Sequence, residues 1–291
     1  MADLSSFDTA AEIATQLAGV CEGRKWRCNC PVCGGHNLTV GPGDRVPVLV
    51  YCFNGCDRRD VLRALREEGL LEAGNAGNGI AEADAKVKLA DRIREARSLY
   101  HRGVDAPGTL VERYLRLRGI TVSIPAVLRF VGCCPHRNGR YFPAMVASVV
   151  NVDGGQIGCH ATFLQYDGKF AFQNPKDQRE CRGAIAGGAV RLADHDPDRE
   201  LIVGEGIETT ISAMQIFDLP GWAALSTSGV AGLDLPPEIR RVVIAVDNDA
   251  AGRDAASSAC YRWQAESRLV RLIMPPNEGD DFNDVLRAGV W

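Results

Sequence analysis

RVVIAVDND, residues 241–249, decides the fold. Five apolar residues stand in a row between Arg241 and Asp247, the pattern of a strand buried on both faces. Two acids close the run, and AAGRDAASSACYRWQA (250–265) follows as a helix candidate. LIVGEG (201–206) and RLVRLIMPP (268–276) are short apolar runs of the same kind, the first leading into the helix candidate ETTISAMQIF (208–217). Buried strands alternating with helices predict a parallel α/β sheet over residues 193–291.

In such a sheet, ligands gather at the carboxyl ends of the strands. Three ends carry acids: Glu205 between Gly204 and Gly206; Asp247 with Asp249; and Asp280, Asp281 and Asp284 after MPPNEG (274–279). Carboxylates converging on one spot repel one another unless a cation lies among them, and hard oxygen donors suit Mg2+. Two plainer readings compete. Gly204-Glu205-Gly206 resembles half of a dinucleotide-binding loop, but Thr209 stands at the third glycine position and an acid between the glycines would repel a pyrophosphate. Asp-x-Asp after a strand is also a helix cap, though three acidic strand ends exceed what capping alone asks for.

Upstream the pattern changes. RYFPAMVASVVNVDGGQIGCHATFL (140–164) alternates in the manner of antiparallel strands and carries a hairpin signal at Asp153-Gly154-Gly155. Helices are predicted from about Ala81 to Arg102 and over 110–119. FDTAAEIATQLAG (7–19) predicts an opening helix capped by Asp8 or Thr9, and DRRDVLRALREEGLL (57–71) an amphipathic one with Val61, Leu62, Leu65 and Leu70 on one side. EAGNAGNGIA (72–81) has nothing to bury and reads as a linker. The expected organisation is a metal-binding module over 1–72, linker and helix over 73–100, a mixed α+β subdomain over 101–192 and the parallel sheet over 193–291. The fold class is α/β, built of several modules with α+β parts.

Eleven cysteines are present, and six fall between Cys21 and Cys56. Cys30-Pro-Val-Cys33 and Cys52-Phe-Asn-Gly-Cys56 are two close pairs with 18 residues between them. Short pairs on tight turns each supply two thiolates to a tetrahedral zinc ion, and the metal would also supply a core that so small a segment lacks. Reduced cysteines filling that core are the competing reading, and Cys28 and His36 are near enough to substitute as ligands. Cys133-Cys134-Pro135-His136 has no partner pair in reach and reads as loop or core.

Charge is uneven. Residues 101–192 hold 12 Lys+Arg against 6 Asp+Glu, hence +6, while 193–291 hold 8 against 17, hence −9. A basic stretch beside an acidic one suits a phosphate backbone and metal ions respectively, and two differently solvated surfaces are the plain alternative. The composition, 46% hydrophobic and 24% charged, is that of a soluble globular chain. No apolar run is long enough to cross a membrane, and MADLSSFDTA has no basic region leading into an apolar one, so a cytoplasmic protein without a membrane partner is expected.

The acidic strand ends, taken together, resemble the Toprim domain, which is shared by primases, topoisomerases and some nucleases. GEGIETTISA (204–213), AVDNDAAGRDAA (245–256) and GDDFNDVL (279–286) carry that resemblance. With VYCFNGCDRRDVLRAL (50–65) matching the second half of a zinc motif, the order of modules resembles DnaG-type primases and the zinc-binding Toprim primase-like proteins of phages and plasmids. The resemblance implies a DNA primase that makes short RNA primers on single-stranded DNA from ribonucleoside triphosphates. It implies Glu205, Asp247 and Asp249 as catalytic residues, and the same three with Asp281 as Mg2+ or Mn2+ ligands, Asp280 remaining possible. It implies structural Zn2+ at Cys30, Cys33, Cys52 and Cys56. Arg140-Tyr141-Phe142-Pro143 resembles the Arg-x-x-Phe-Pro stretch of the primase basic subdomain, and 153–158 its hairpin, where Ala161 and His160 stand near an expected basic residue. Nucleic acid or nucleotide is expected at Arg137, Arg140, His160, Lys169, Lys176 and Arg182, with Arg179 in the same cluster, and Phe142, Tyr166, Phe170 and Phe172 are candidates for base stacking or for the core. A P-loop motif, G-x-x-x-x-G-K-[ST], is missing from the sequence, so a replicative helicase is expected in trans. The alternatives are a Toprim nuclease cutting DNA with the same carboxylates, and a non-catalytic single-stranded DNA-binding replication protein.

Overall fold

The structure is a computed structural model that describes residues 4–43, 48–71 and 78–289, and the chain divides between Glu82 and Ala83 into two compact units. In the first unit, α1 (Leu4–Gln16) precedes β1 (Val20–Glu22), β2 (Lys25–Cys28), β3 (Leu38–Pro42) and β4 (Val48–Cys52), and α2 (Arg58–Glu67) follows. The strands form one antiparallel sheet in chain order. Strict alternation in β4 buries Val48, Val50 and Cys52 and exposes Leu49 and Tyr51, so one face meets the helices and the other meets solvent. Helix α1 begins before Asp8 and Thr9, which therefore lie inside it and do not cap it. Its buried stripe, Ser6, Ala10, Ile13 and Ala14, continued by Leu17 just after the helix, reaches back past the expected start. Asp57 caps α2 by accepting the Arg59 N–H at 2.7 Å, and Val61 and Leu65 fill the core as the periodicity predicts. Residues 72–77 of the expected linker lie outside the described residues, and helix begins at Asn78.

Helix α3 (Asn78–His101) carries the chain into the second unit, followed by β5 (Val104–Asp105), α4 (Leu110–Leu117), β6 (Leu128–Pro135), β7 (Tyr141–Val150), β8 (Gln156–Phe163), α5 (Pro175–Gln178) and β9 (Arg179–Gly183). These five strands pair antiparallel in chain order. One face of the sheet, with Ala144, Val146, Cys159, Ala161 and Phe163, packs under Ala96 and Leu99 of α3. The opposite face presents Met145, Ala147 and Val149 to Val111, Tyr114 and Leu115 of α4.

The remaining elements are β10 (Val190–Arg191), β11 (Leu201–Gly204), α6 (Ile207–Phe217), β12 (Gly221–Ala223), α7 (Thr227–Gly232), β13 (Arg241–Ala245), α8 (Ala250–Ala265), β14 (Leu269–Ile273) and α9 (Phe282–Ala288). The sheet order is β10-β12-β11-β13-β14, parallel except for β10. The runs at 201, 241 and 268 are its strands, as expected, but β14 lies at the sheet edge and leaves Leu269 and Leu272 exposed, so only the first two are buried. β12 goes unseen in the sequence because three residues are too few to show a period. Ile207, Ile211, Ala223 and Leu286 of this part belong to the same core cluster as Met145 and Tyr114, so the two sheets share one interior. Among the described residues, no helix is long and apolar enough to cross a membrane.

Candidate functional site

Glu205 follows β11 and Asp247 follows β13, strands that pair in parallel with Gly204 opposite Ala245. The acids expected at neighbouring strand ends are therefore neighbours in space. Burial pushes the Asp247 carboxyl up to about 7, and the charges of Glu205, Asp281, Asp249 and Asp284 add to it. Burial likewise raises Glu205, helped by Asp249, while the Thr227 N–H and Arg179 pull the other way. Asp247 Oδ1 is buried with no hydrogen-bond partner among the described residues. An oxygen that has lost its water and gained no donor, ringed by like charges, fits a divalent cation.

Asp249 and Asp281 are also helix caps, so both readings of the acids hold at once. Asp249 Oδ1 accepts the Gly252 N–H at 2.7 Å at the start of α8. Asp281 Oδ1 accepts the N–H groups of Asn283 at 2.7 Å and Asp284 at 3.0 Å, and its Oδ2 takes the Thr209 hydroxyl at 3.0 Å. Asp280 turns instead to the Asn277 amide at 2.9 Å, and Asp281, not Asp280, is among the charges that act on Asp247. Among the described residues, no three of these carboxylates bring oxygens within 4.8 Å of one another. The caps fix the Asp249 and Asp281 carboxylates in place, and Mg2+, which keeps several waters and binds one or two carboxylates directly, does not need three of them in contact.

Gly252 gives the Asp-x-Asp-x-x-Gly motif its physical reason. A Cβ there would lie 2.4 Å from the Asp247 carbonyl oxygen. Gly252→Ala is expected to push the Asp247–Asp249 turn off its place, costing about 2 kcal/mol and 4–8 °C in melting temperature, with loss of bound metal in a titration. Unchanged melting and metal affinity would show that the turn tolerates the shift.

In the first unit, Cys30 and Cys33 follow β2, Cys52 ends β4 and Cys56 precedes α2. Their four Sγ atoms lie within 4.8 Å of one another, and Cys33 and Cys52 are 3.8 Å apart. A zinc–sulfur bond of about 2.3 Å sets tetrahedral sulfurs about 3.8 Å apart, so the donor set fits that ion. Gly34 and Gly55 take φ of +70° and +80° in the two knuckles, where a side chain would be strained. Burial raises the Cys33 thiol, but hydrogen bonds from the Gly35 backbone, the Asn54 side chain and neighbouring thiols bring it down to about 7. Burial and the thiols of Cys33 and Cys52 raise Cys56. Four thiols this close cannot ionise together without a cation. Cys28 is buried in the core and His36 bonds Asn29 at 2.9 Å, and neither joins the cluster.

The expected basic groove is only partly assembled. His160 is 4% exposed, on the β8 face that points into the shared interior opposite Ala147. Burial first, with Arg179, lowers it to about 4, so it is neutral and out of reach of nucleic acid. This corrects the expectation from the hairpin. Arg182 pairs with Cys159 on the face against α3 and binds Glu180 at 3.0 Å and the Pro135 carbonyl. One residue of strand alternation turns it away from the acids. Arg137 is exposed and bonds the Lys176 carbonyl and Asp177. Arg140 is exposed beside Phe142, and Lys169 is exposed 3.4 Å from Asp167. Phe142 and Phe172 pack with Phe163 and His136, which makes them core. Tyr166 is 79% exposed. His136, 5% exposed, stacks on Phe172 and approaches Glu180 at 3.3 Å, so His136 and Cys134 are core, while Cys133–Pro135 end strand β6 and form no loop.

Glu208, which the sequence reading passed over, stands in the first turn of α6, three residues after Glu205, and is 3% exposed. It accepts the Tyr114 hydroxyl at 2.7 Å and Arg179 at 3.2 Å. Burial raises its carboxyl, but Arg179 and Tyr114 outweigh this and hold it at about 2. Nothing in the local sequence marks this residue, because its partners are 94 and 29 positions away.

Residues 200–290 match the family model of the Toprim domain, so the acid-bearing sheet is a Toprim domain. Residues 90–192 match a domain of unknown function, DUF7146. No curated protein matches the chain. Among solved structures, the chain is similar to the Aquifex aeolicus primase, zinc-binding and RNA polymerase domains, at 15% identity over 98% of this chain and 83% of that one, with a TM-score of 0.43. It is similar to a DnaG primase catalytic domain bound to ssDNA at 17% identity, over 72% and 79% of the two chains, with a TM-score of 0.46. The primase fragment of the bacteriophage T7 primase-helicase protein matches at 14% identity, over 61% and 65%, with a TM-score of 0.40.

Proposed function

We propose that this chain is a DNA primase, making short RNA primers on a single-stranded DNA template by metal-dependent nucleotidyl transfer. The observation that carries the reading is the convergence of Glu205, Asp249, Asp281 and Asp284 on Asp247, whose buried oxygen lacks a donor, in a Toprim domain that shares its core with an arginine-bearing sheet. In the reaction, a ribonucleotide 3′-hydroxyl attacks the α-phosphate of an incoming nucleoside triphosphate and pyrophosphate leaves. Asp247, Asp249, Asp281 and Glu205 would hold Mg2+ or Mn2+, which would neutralise the triphosphate and lower the pKa of the attacking hydroxyl. Glu205, raised above the usual carboxylate range by burial, is the candidate to accept that hydroxyl's proton. Arg137, Arg140, Lys169 and Lys176 remain exposed for a template backbone. Unwinding is assigned to a helicase motor outside these 291 residues.

The proposed zinc at Cys30, Cys33, Cys52 and Cys56 is structural, since four protein ligands leave no open position. Elemental analysis is expected to give one zinc per chain. Cys52→Ser is expected to lose it and to lower the melting of the first unit by at least about 10 °C. Full zinc content in that variant would remove Cys52 from the site.

The test of function is primer synthesis on single-stranded DNA with labelled nucleoside triphosphates and Mg2+ or Mn2+, beside Asp249→Ala. Short template-dependent products that vanish in the variant and with EDTA are expected. Metal-dependent shortening of the DNA without products would make the same carboxylates a nuclease, and binding with neither activity would make the chain a DNA-binding replication protein.

A further inference from the structure

Two guanidinium groups share one aromatic ring beside the acids. Arg118 lies 4.9 Å and Arg179 4.8 Å from the Phe170 ring centre. Arg179, on β9, faces the Toprim side of its sheet because it pairs with Thr162, which pairs with Met145. Glu208 holds it from below at 3.2 Å, with the Arg179 side chain 37% and the Glu208 side chain 5% exposed. Arg118, at the end of α4, bonds Asn283 Oδ1 at 3.2 Å. Asn283 in turn donates to Asp281 at 2.7 Å and to Ser212 at 3.0 Å. Arg118 makes no ion pair among the described residues, so two cations answer to the single carboxylate of Glu208.

Like charges drawn onto one ring repel, and the cation–π contact of each recovers only part of that cost. The pair carries one positive charge in excess, and each guanidinium keeps N–H donors beyond the one it spends on Glu208 or Asn283. A planar fork fixed by a buried carboxylate and a ring is preorganised for the paired oxygens of a phosphate. Its place is set by the acids: Thr209, next to Glu208, and Asn283 both bond Asp281.

We infer that Arg118 and Arg179 form a phosphate clamp at the edge of the carboxylate site, positioned by Glu208 and Asn283. It rests on the reading of that site as one for phosphate-bearing substrates. The ligand is a phosphate of the nucleotide or of the nucleic-acid backbone, and binding separates the two sources.

The experiment uses the full chain, fluorescent oligo(dT) over a range of salt, and magnesium–GTP by calorimetry. Arg118→Met keeps apolar packing on Phe170 and strands no carboxylate but takes the donor from the buried Asn283 Oδ1, so it is expected to melt a few degrees lower, whereas Arg179→Lys keeps a charge against Glu208 and is expected to melt as the wild type does. Lys86→Ala on the exposed part of α3 is the control for general charge. About tenfold weaker GTP binding in both clamp variants, with oligo(dT) unchanged, identifies a triphosphate clamp. Weaker oligo(dT) binding in both variants, with a salt slope lowered by about one in Arg118→Met, where the charge is lost, identifies a backbone clamp. Wild-type binding of both ligands in both variants, or equal losses in Lys86→Ala, overturns the proposal. If wild-type protein makes no primers while the clamp variants still weaken binding, the primase reading fails and the clamp stands.

Discussion

Asp247→Asn is expected to remove metal-dependent activity by about a thousandfold or more, the scale on which a single preorganised charge acts in a transition state, and yet to make the metal-free protein more stable above neutral pH. The sign follows from burial. In the unfolded chain the carboxyl ionises near 3.8, and in the folded protein near 7. Between those values the folded state binds one more proton than the unfolded state, so wild-type stability falls as pH rises from about 4 to about 7 and stays at its low level above. That interval corresponds to at most about 4 kcal/mol. Partial access to water reduces the expected gain in the variant to about 1–2 kcal/mol at pH 8, or about 3–6 °C in melting temperature. The difference should shrink as pH falls through 7 and vanish near pH 4. Added Mg2+ should raise the wild type, by mass action on the folded state, and leave the variant where it was. Melting curves in EDTA and in Mg2+ across this range are the measurement. Parallel curves for the two proteins at every pH, or retained activity in the variant, would take Asp247 out of the site. A stabilising change that abolishes activity is the signature of a site kept at a cost to the fold.

The acids were legible in the sequence because the chemistry sits where the period changes. Apolar runs of four or five residues give the strands, and the polar residue that ends each run is placed by the sheet at its carboxyl edge. The four-cysteine cluster was legible for a similar reason, since two local pairs need only one turn each to bring four sulfurs within 4.8 Å. The basic face was not. Whether Arg179, Glu180 or Arg182 meets the Toprim domain depends on the register of β9 against β8, which pairs Thr162 with Arg179 and Cys159 with Arg182. A shift of one residue would exchange the faces, and no local pattern fixes it. His160 was assigned to the groove from its place beside the hairpin, but the same alternation buries it. Glu208 was invisible because a carboxylate in the first turn of a helix is unremarkable as a dipole partner. Only the fold brings Tyr114 and Arg179 to it.

Glu208→Ala is expected to be among the most destabilising single changes in the second unit, at about 3–5 kcal/mol. The variant leaves Arg179 without its carboxylate and the Tyr114 hydroxyl without its acceptor in a shared core, and unpaired buried groups cost more than the pair gained. At about 2–4 °C per kcal/mol, melting should drop by roughly 10 °C. Glu208→Gln keeps an acceptor for Tyr114 and should lose less. The pH dependence separates charge from shape. Glu208 ionises near 2 in the folded protein against 4.5 unfolded, so its contribution is fully present above about pH 4.5 and is lost as pH falls toward 2. The wild type should therefore weaken in that acid window more steeply than Glu208→Gln does. A loss below about 1 kcal/mol in Glu208→Ala would show the network to be slack. Buried ion pairs are often replaceable by apolar residues without loss of stability, so the double variant Glu208→Leu with Arg179→Met is the informative one. It is expected to recover at least half of the lost stability while leaving phosphate binding as weak as in Arg179→Lys or weaker. Stability restored without binding would mean that the pair is kept because it aims a guanidinium at the carboxylates, a task that apolar packing cannot perform.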